Sequence, residues 1–133
     1  MILVDSSVWI DFFKGADNPA TQQLTQLLSD NDANVMAADL VLFEVLRGFR
    51  QGPDLRAAQR FLSALPQVEL GGLDNALLAA EHCRTLRAQG YTIRSPIDIL
   101  LASYCITHQH LLLHRDADFD VMETLRGLKV WKH

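Results

Sequence analysis

The stretch Ile2-Leu3-Val4-Asp5-Ser6-Ser7-Val8-Trp9-Ile10 begins with a short apolar run that ends in an acid and two hydroxyl residues. Three consecutive apolar residues fit a strand that is buried on both faces, as in a parallel sheet. The residues after Asp5 fit a helix, for which Asp5, Ser6 or Ser7 is a suitable N-cap. This beginning predicts an α/β fold with a carboxylate at the carboxyl end of its first strand.

The rest of the chain alternates short apolar runs with longer helical patterns. The further strand candidates are Val35–Ala37, Val68–Leu70, Leu111–Leu113 and Leu128–Trp131. The helix candidates are Ser7–Lys14, Asn18–Ser29, a segment from its N-cap Asp39 to about Gly52, a segment from Pro53, Asn75–Ala88, Ser95–His108 and a short helix after Asp118. This alternation predicts one α/β domain over residues 1–133, with right-handed crossovers and a functional crevice beyond the carboxyl ends of its strands.

The composition limits the class of protein. The chain has 133 residues and is 49% hydrophobic, which suits one folded domain with a sizeable core. The first residues lack the basic segment of a signal peptide, and no apolar run approaches the roughly 18 residues of a membrane span. Cys83 and Cys105 have no CxxC partner and are expected to be reduced thiols. These features predict a soluble cytoplasmic protein that does not associate with membranes.

The charge balance bears on nucleic-acid binding in two opposite ways. The formal net charge of −4 argues against a non-specific nucleic-acid binder, because such proteins are usually basic. Divalent cations bound by acids would neutralise part of that charge. Nine of the twelve basic residues are arginines, which suit bidentate phosphate contacts, although solvated helix faces are the better explanation for any single arginine.

Four acidic residues lie beside the most hydrophobic segments, where unpaired charges are costly to bury. They are Asp5, Glu44, Asp98 and Asp116. Carboxylates that meet at one edge of a core repel one another, and protonation or a bound cation relieves that repulsion. A cluster of carboxylate oxygens suits Mg²⁺ or Mn²⁺. We therefore predict that these acids form a divalent-metal site.

Each of these acids also has a structural interpretation. Asp5 could cap the first helix, and Asp98 fits the third position of a capped helix. Glu44 could form an ion pair within its own helix. Asp116 and Asp118 are two residues apart, and this spacing does not decide which of them points inward. The histidines do not have a metal-binding pattern, and no nucleotide-binding loop or serine-hydrolase motif occurs.

With these residues in place, the chain resembles the PIN-domain ribonucleases, and most closely the VapC toxins of toxin–antitoxin pairs. The resemblance covers nearly the full length and rests on four segments in order: Ile2–Ile10, Glu44–Gly48, Ile93–Ala102 and Leu112–Phe119. It implies a PIN-like three-layer α/β/α sandwich with a short-stranded, mainly parallel sheet.

The resemblance also implies site residues. The acids implied to be catalytic and metal-binding are Asp5, Glu44, Asp98 and Asp116. Asp118 is an acceptable substitute for the fourth acid, and Ser6 is a candidate for adding a hydroxyl to the metal shell. His114 departs from the small polar residue often seen before the fourth segment, a difference that could alter substrate contact.

The activity and partners follow from the same resemblance. It implies a metal-dependent endoribonuclease that cleaves structured or single-stranded RNA, such as tRNA or rRNA, with one or two Mg²⁺ ions or, alternatively, Mn²⁺. It implies a homodimer that is neutralised by a cognate antitoxin. Operator DNA is expected to be reached only through that antitoxin.

Two other functions fit parts of the sequence. A non-catalytic PIN-like module that binds nucleic acid or protein in a DNA-regulating complex would use the acids as helix caps and the arginines as contacts. A phosphatase of the haloacid dehalogenase class also places an Asp after its first strand. That chemistry needs a second Asp two residues after Asp5, where this chain has Ser7. Failure to bind Mg²⁺ or Mn²⁺ would favour the module, and an aspartyl-phosphate would favour the phosphatase.

Overall fold

The computed structural model describes residues 1–133 and contains four short strands and seven helices. The strands are β1 (Ile2–Val4), β2 (Val35–Ala38), β3 (Gln67–Val68) and β4 (Leu111–Leu113). The helices are α1 (Ser6–Phe13), α2 (Pro19–Ser29), α3 (Asp39–Arg47), α4 (Pro53–Ser63), α5 (Leu73–Ala88), α6 (Pro96–His108) and α7 (Ala117–Arg126). None of the helices combines the length and the apolar character needed to span a membrane.

The sheet has the strand order β3-β2-β1-β4, and every neighbouring pair of strands is parallel. The chain steps from β1 to β2 to β3 in one direction and then returns to place β4 on the other side of β1. Because parallel crossovers are right-handed, this reversal puts the helices after β3 on the opposite face from those before it. The predicted three-layer α/β/α fold is confirmed. The reversal also makes the carboxyl ends of β1 and β4 a switch point, where such sheets open a crevice.

The apolar runs of the sequence form the centre of this sandwich. All three residues of β1 and all four of β2 are buried, as expected for strands covered by helices on both faces. Trp9 of α1 is buried as well, and its ring packs against Phe12, Phe13 and Phe61. These aromatic contacts hold α1 against α4 and thereby fix the helix that directly follows Asp5.

Local capping signals explain where two helices begin. The Asn18 side chain accepts the Thr21 amide, and the Thr21 hydroxyl accepts the Asn18 amide, each at 3.0 Å, which forms a capping box before α2. The Ser95 hydroxyl accepts the amide of Asp98 at 3.4 Å, and Pro96 takes the first helical position. The predicted start of α6 is therefore confirmed, with Asp98 in its first turn.

Three predicted elements have a different extent. The strand predicted over Val68–Leu70 begins one residue earlier and is shorter, over Gln67–Val68. The strand predicted over Leu128–Trp131 forms only a single bridge, between Leu112 and Val130. Gly127, in the left-handed conformation, ends α7. The chain then runs beside β4 for only a few residues, and a single residue pair forms a bridge. The helix predicted to be short after Asp118 instead has ten residues, because two of its apolar residues are fully buried and anchor its inner face.

The prediction for Asp39 and its helix was wrong in two respects. Ala38 occupies the N-cap position, and Asp39 lies inside the first turn of α3. Its carboxylate accepts the amide of Leu70 at 2.9 Å, which ties α3 to the segment that follows β3. The helix also ends at Arg47 rather than near Gly52.

Candidate metal centre

Asp98 lies at the centre of a group of acids at the carboxyl-end edge of the sheet. Only 8% of the residue is exposed. Burial is the main cause that raises the pKa of its carboxyl from the ordinary 3.8 to about 7. Four neighbouring negative charges raise the pKa further, in decreasing order those of Asp5, Glu44, Asp116 and Asp118. Asp98 thus lies in the first turn of α6, close enough to the other four acids for their charges to act on it.

Three of these acids lie close enough to share one ion. Single carboxylate oxygens of Asp98, Asp116 and Asp118 lie within 4.8 Å of one another. Asp116 is the N-cap of α7, and its Oδ1 accepts the amide of Asp118 at 2.9 Å. This bond fixes the two acids relative to each other. The sequence left open which of the two points inward, and in the structure both reach Asp98.

Asp5 approaches the same edge from the end of β1. The residue is 4% exposed, and its Oδ2 accepts the Ser7 hydroxyl at 2.6 Å and the Ser7 amide at 3.4 Å, which caps α1. Burial raises the pKa of this carboxyl, and the hydrogen bond from the Ser7 hydroxyl opposes the shift. The amide of Asp5 donates to the carbonyl of Leu113 at 2.9 Å and so joins the ends of β1 and β4. Asp5 thus caps a helix and faces the acidic group at the same time.

Glu44 comes from the middle of α3 and lies outside the group of three. Its Oε1 accepts a hydrogen bond from the Ser6 hydroxyl at 3.0 Å, so the candidate hydroxyl ligand contacts this acid. Glu44 forms no ion pair within its own helix. Arg47 instead lies over the ring of Phe43, 5.5 Å from its centroid. The charge of Glu44 acts on both Asp5 and Asp98, which places it at the border of the site.

His114 is a further residue of this region whose contacts the sequence did not predict. It is buried beneath the turn that leads from β4 into α7, and its Nδ1 accepts the amide of Asp116 at 3.1 Å. Burial lowers the pKa of the imidazole, and the negative charges of Asp120 and Asp5 oppose that shift. The only signal in the sequence was the departure from a small polar residue, a difference that could alter substrate contact. In the structure the ring is buried and binds the backbone.

The donor set fits a hard divalent cation. All of the grouped ligand atoms are carboxylate oxygens, which Mg²⁺ and Mn²⁺ prefer, and neither a thiol nor an imidazole belongs to the group. The ion pairs formed by arginine and lysine join Arg115 to Asp11 and Lys132 to Glu123. No lysine or arginine therefore neutralises these acids. A buried carboxylate with a raised pKa and no basic partner is stabilised in its charged form by a bound cation.

Known protein families provide an independent comparison. Residues 2–125 match the family model described as PIN domain. A VapC ribonuclease of Mycobacterium bovis is 31% identical over 129 residues, which cover 97% of this chain and 96% of the relative. Ribonuclease VapC11 of Mycobacterium tuberculosis matches with the same identity and the same coverage.

Solved structures resemble the fold over nearly its whole length. VapBC2 from Rickettsia felis, bound to a DNA fragment from its promoter, matches with a TM-score of 0.76 at 17% identity over 99% of this chain and 100% of that chain. A toxin–antitoxin complex from Klebsiella pneumoniae matches with a TM-score of 0.72 at 15% identity over 99% and 97%. At these identities the likeness establishes the shared fold.

Proposed function

The chain belongs to the PIN-domain family, in its VapC group, and we propose that it is a divalent-metal-dependent endoribonuclease of the toxin type. The observation that carries the proposal is the meeting of three carboxylates within 4.8 Å, those of Asp98, Asp116 and Asp118. They lie at the switch point of the sheet, and the charges of Asp5 and Glu44 also raise the pKa of Asp98. The relatives at 31% identity are ribonucleases by name, which supports hydrolysis of RNA as the reaction.

We assign the binding of Mg²⁺, or alternatively Mn²⁺, to the acids Asp5, Glu44, Asp98 and Asp116, with Asp118 as an additional ligand. The ion supplies Lewis-acid stabilisation of charge on the phosphodiester and makes a water molecule easier to deprotonate. One of the carboxylates also accepts the proton of the attacking water. The hydroxyls of Ser6 and Ser7 hold the carboxylates of Glu44 and Asp5 in fixed directions at 3.0 and 2.6 Å.

We propose structured or single-stranded RNA, such as tRNA or rRNA, as the substrate. Two exposed arginines lie close in sequence to the proposed ligands: Arg94 precedes the N-cap of α6, and Arg47 lies one turn after Glu44 on α3. Neither of them takes part in an ion pair. Guanidinium groups in these positions suit contacts to the phosphates on either side of the cleaved bond.

A cognate antitoxin is the proposed regulator. A groove with a volume of about 690 Å³ lies between α1 and the segment that joins α3 to α4, with Phe13, Val45 and Phe49 on its apolar walls and Arg50 among its polar residues. Such a groove suits a peptide segment with apolar anchors. The similar structure from Klebsiella pneumoniae is a toxin–antitoxin complex, and the Rickettsia felis complex is bound to promoter DNA. We propose that this chain reaches operator DNA only through its antitoxin.

A homodimer is the proposed assembly. Leu73 and Leu77, one turn apart on α5, are 74% and 61% exposed, and large apolar side chains exposed together are typical of an interface. We propose further that residues 1–133 form one domain, since a single core of 26 buried residues extends from Ile2 to Leu128. The free thiols Cys83 and Cys105 suit the proposed location in the cytoplasm.

Brief expression followed by mapping of RNA ends tests the proposed activity. We expect the wild-type protein to generate new RNA ends at a few defined positions. Glu44→Gln removes a proposed ligand and should abolish these ends. Glu81→Gln changes an exposed glutamate on α5 in the same way and should preserve them. RNA that is bound but never cut by the wild type would instead favour the non-catalytic binding module.

A further inference from the structure

We propose that His114 is a positioning residue that fixes Asp116 and, through it, Asp118 at the metal centre. This inference rests on the metal-dependent function proposed above. The Nδ1 atom of His114 accepts the backbone amide of Asp116, two residues later, at 3.1 Å. Side chains of Asn, Asp, Ser and Thr commonly accept an amide two residues on, and the resulting bond fixes a tight turn. Here an imidazole nitrogen makes that bond.

The turn that this bond fixes connects two rigid parts of the protein. Before it, the carbonyl of Leu113 accepts the amide of Asp5 at 2.9 Å, which holds the end of β4. After it, Asp116 caps α7 and accepts the amide of Asp118. A rotation of the Asp116 backbone would therefore displace both carboxylates relative to Asp98. One hydrogen bond thus controls the placement of two of the three grouped acids.

His114 itself is held firmly enough to act as such an anchor. Its ring packs on Phe119 with a centroid distance of 4.9 Å, and its carbonyl accepts Nε2 of His133 at 2.9 Å. Because Nδ1 accepts a hydrogen bond, the neutral ring carries its proton on Nε2. That nitrogen lies 3.8 Å from Oδ1 of Asp120. The residue is only 8% exposed, its ring packs on α7, and its backbone carbonyl contacts His133.

The neighbouring residue supports the turn from the outside. The Arg115 guanidinium forms an ion pair with Asp11 of α1, and the same carboxylate accepts Nδ2 of Asn18 at 3.3 Å. This contact anchors the turn to α1 and does not touch Asp116. The direction of the Asp116 amide is therefore set by its bond to His114. Arg115 anchors the segment as a whole, so the two residues have separate roles.

Two substitutions separate the hydrogen bond from the packing of the ring. His114→Asn loses the ring but puts an amide oxygen where Nδ1 was, and His114→Phe keeps a ring but has no acceptor. Calorimetry with Mn²⁺ on the full chain measures the consequence. Changes in residues that orient ligands typically cost about 10- to 100-fold in metal affinity, so we expect that loss for His114→Phe and less than about threefold for His114→Asn.

Thermal unfolding without metal provides the structural control. His114→Asn should be the less stable variant because it loses the contact with Phe119. Metal affinity and stability are thus expected to move in opposite directions. His114→Gln also lacks the ring but carries its oxygen one bond further out, so it should bind Mn²⁺ as weakly as His114→Phe.

The possible outcomes distinguish this inference from the function on which it rests. If the Mn²⁺ affinities of the variants rank in the same order as their thermal stabilities, the positioning role of His114 is overturned. The same holds if all variants bind Mn²⁺ as tightly as the wild type. Either result leaves the metal-dependent function intact. A wild-type protein that does not bind Mn²⁺ would overturn the metal-dependent function itself, and the positioning role with it.

Discussion

Asp98→Asn is expected to lower RNA cleavage by on the order of 10³-fold or more, because a metal centre supplies several kcal/mol of charge stabilisation and each 1.4 kcal/mol is about tenfold in rate. Asparagine keeps the shape of the side chain but removes the negative charge at the centre of the group. Cleavage of a labelled RNA under single-turnover conditions with Mn²⁺ measures the loss. The matched control is Asp74→Asn, which changes an exposed acid in the first turn of α5 and should leave the rate unchanged.

The same substitution should stabilise the protein when no metal is present. The pKa of Asp98 is raised to about 7 in the folded protein, so the charged form opposes folding. Above about pH 7 the wild type carries this unfavourable charge, and as the pH falls from about 7 to about 4 the folded state takes up the proton and recovers the lost stability. The difference in the free energy of unfolding between Asp98→Asn and the wild type should therefore increase as the pH rises from about 4 to about 7.

Melting temperatures in excess EDTA measure this gap. In a chain of this size each kcal/mol shifts the melting temperature by about 4 °C, and we expect the variant to melt at least that much higher at pH 8. Groups distant from Asp98 cancel in the difference, whereas its repulsion with the neighbouring acids is lost in the variant and is part of the measured effect. A variant that is inactive but also unfolded, or one that cleaves RNA at the wild-type rate, would contradict the role given to Asp98.

Removal of divalent cations should have an equally large effect. With excess EDTA the acids at the switch point have no basic partner, and we expect the wild-type protein to lose all detectable RNA cleavage. Mn²⁺ or Mg²⁺ added in excess over the chelator should restore the rate, because a bound cation again supplies the charge stabilisation that the reaction needs. A ribonuclease that needs no metal, incubated with the same RNA, shows that EDTA does not protect the substrate.

Metal binding should also be visible in the stability of the protein. An ion at about 100 times its dissociation constant stabilises the folded state by about 2.7 kcal/mol. The melting temperature should therefore rise with the Mn²⁺ concentration in the wild type and change little in Asp98→Asn. Cleavage that continues undiminished in EDTA would exclude the metal mechanism, whatever the effect on stability.

The parts of the site that could be predicted are those with a local signal. Asp5 follows an apolar run that fits a buried strand, and this predicts its place at a strand end. Asp98 stands three residues after Ser95, and the capping pattern fixes it in the first turn of a helix. Glu44 interrupts an apolar helix, which marks it as an acid with an unusual environment. Each of these signals lies within about ten residues of the acid concerned.

The parts that could not be predicted depend on contacts between distant segments. Asp118 joins the group because of the direction in which α7 leaves the sheet, and that direction is fixed by the buried Phe119 and by the turn at His114. The segment Leu128–Trp131 has the composition of a strand, but the path of the chain after α7 allows only one pair of residues to meet β4. In these places geometry over many residues overrides the local pattern.

Crystals soaked in Mn²⁺ and measured by anomalous scattering test the central claim most directly. We predict an anomalous peak at about 2 Å from carboxylate oxygens of Asp98, Asp116 and Asp118, the distance at which small divalent cations bind oxygen. The peak should be absent from crystals of Asp98→Asn. A wild-type crystal without a peak at this edge of the sheet, in protein that cleaves RNA, would contradict the account.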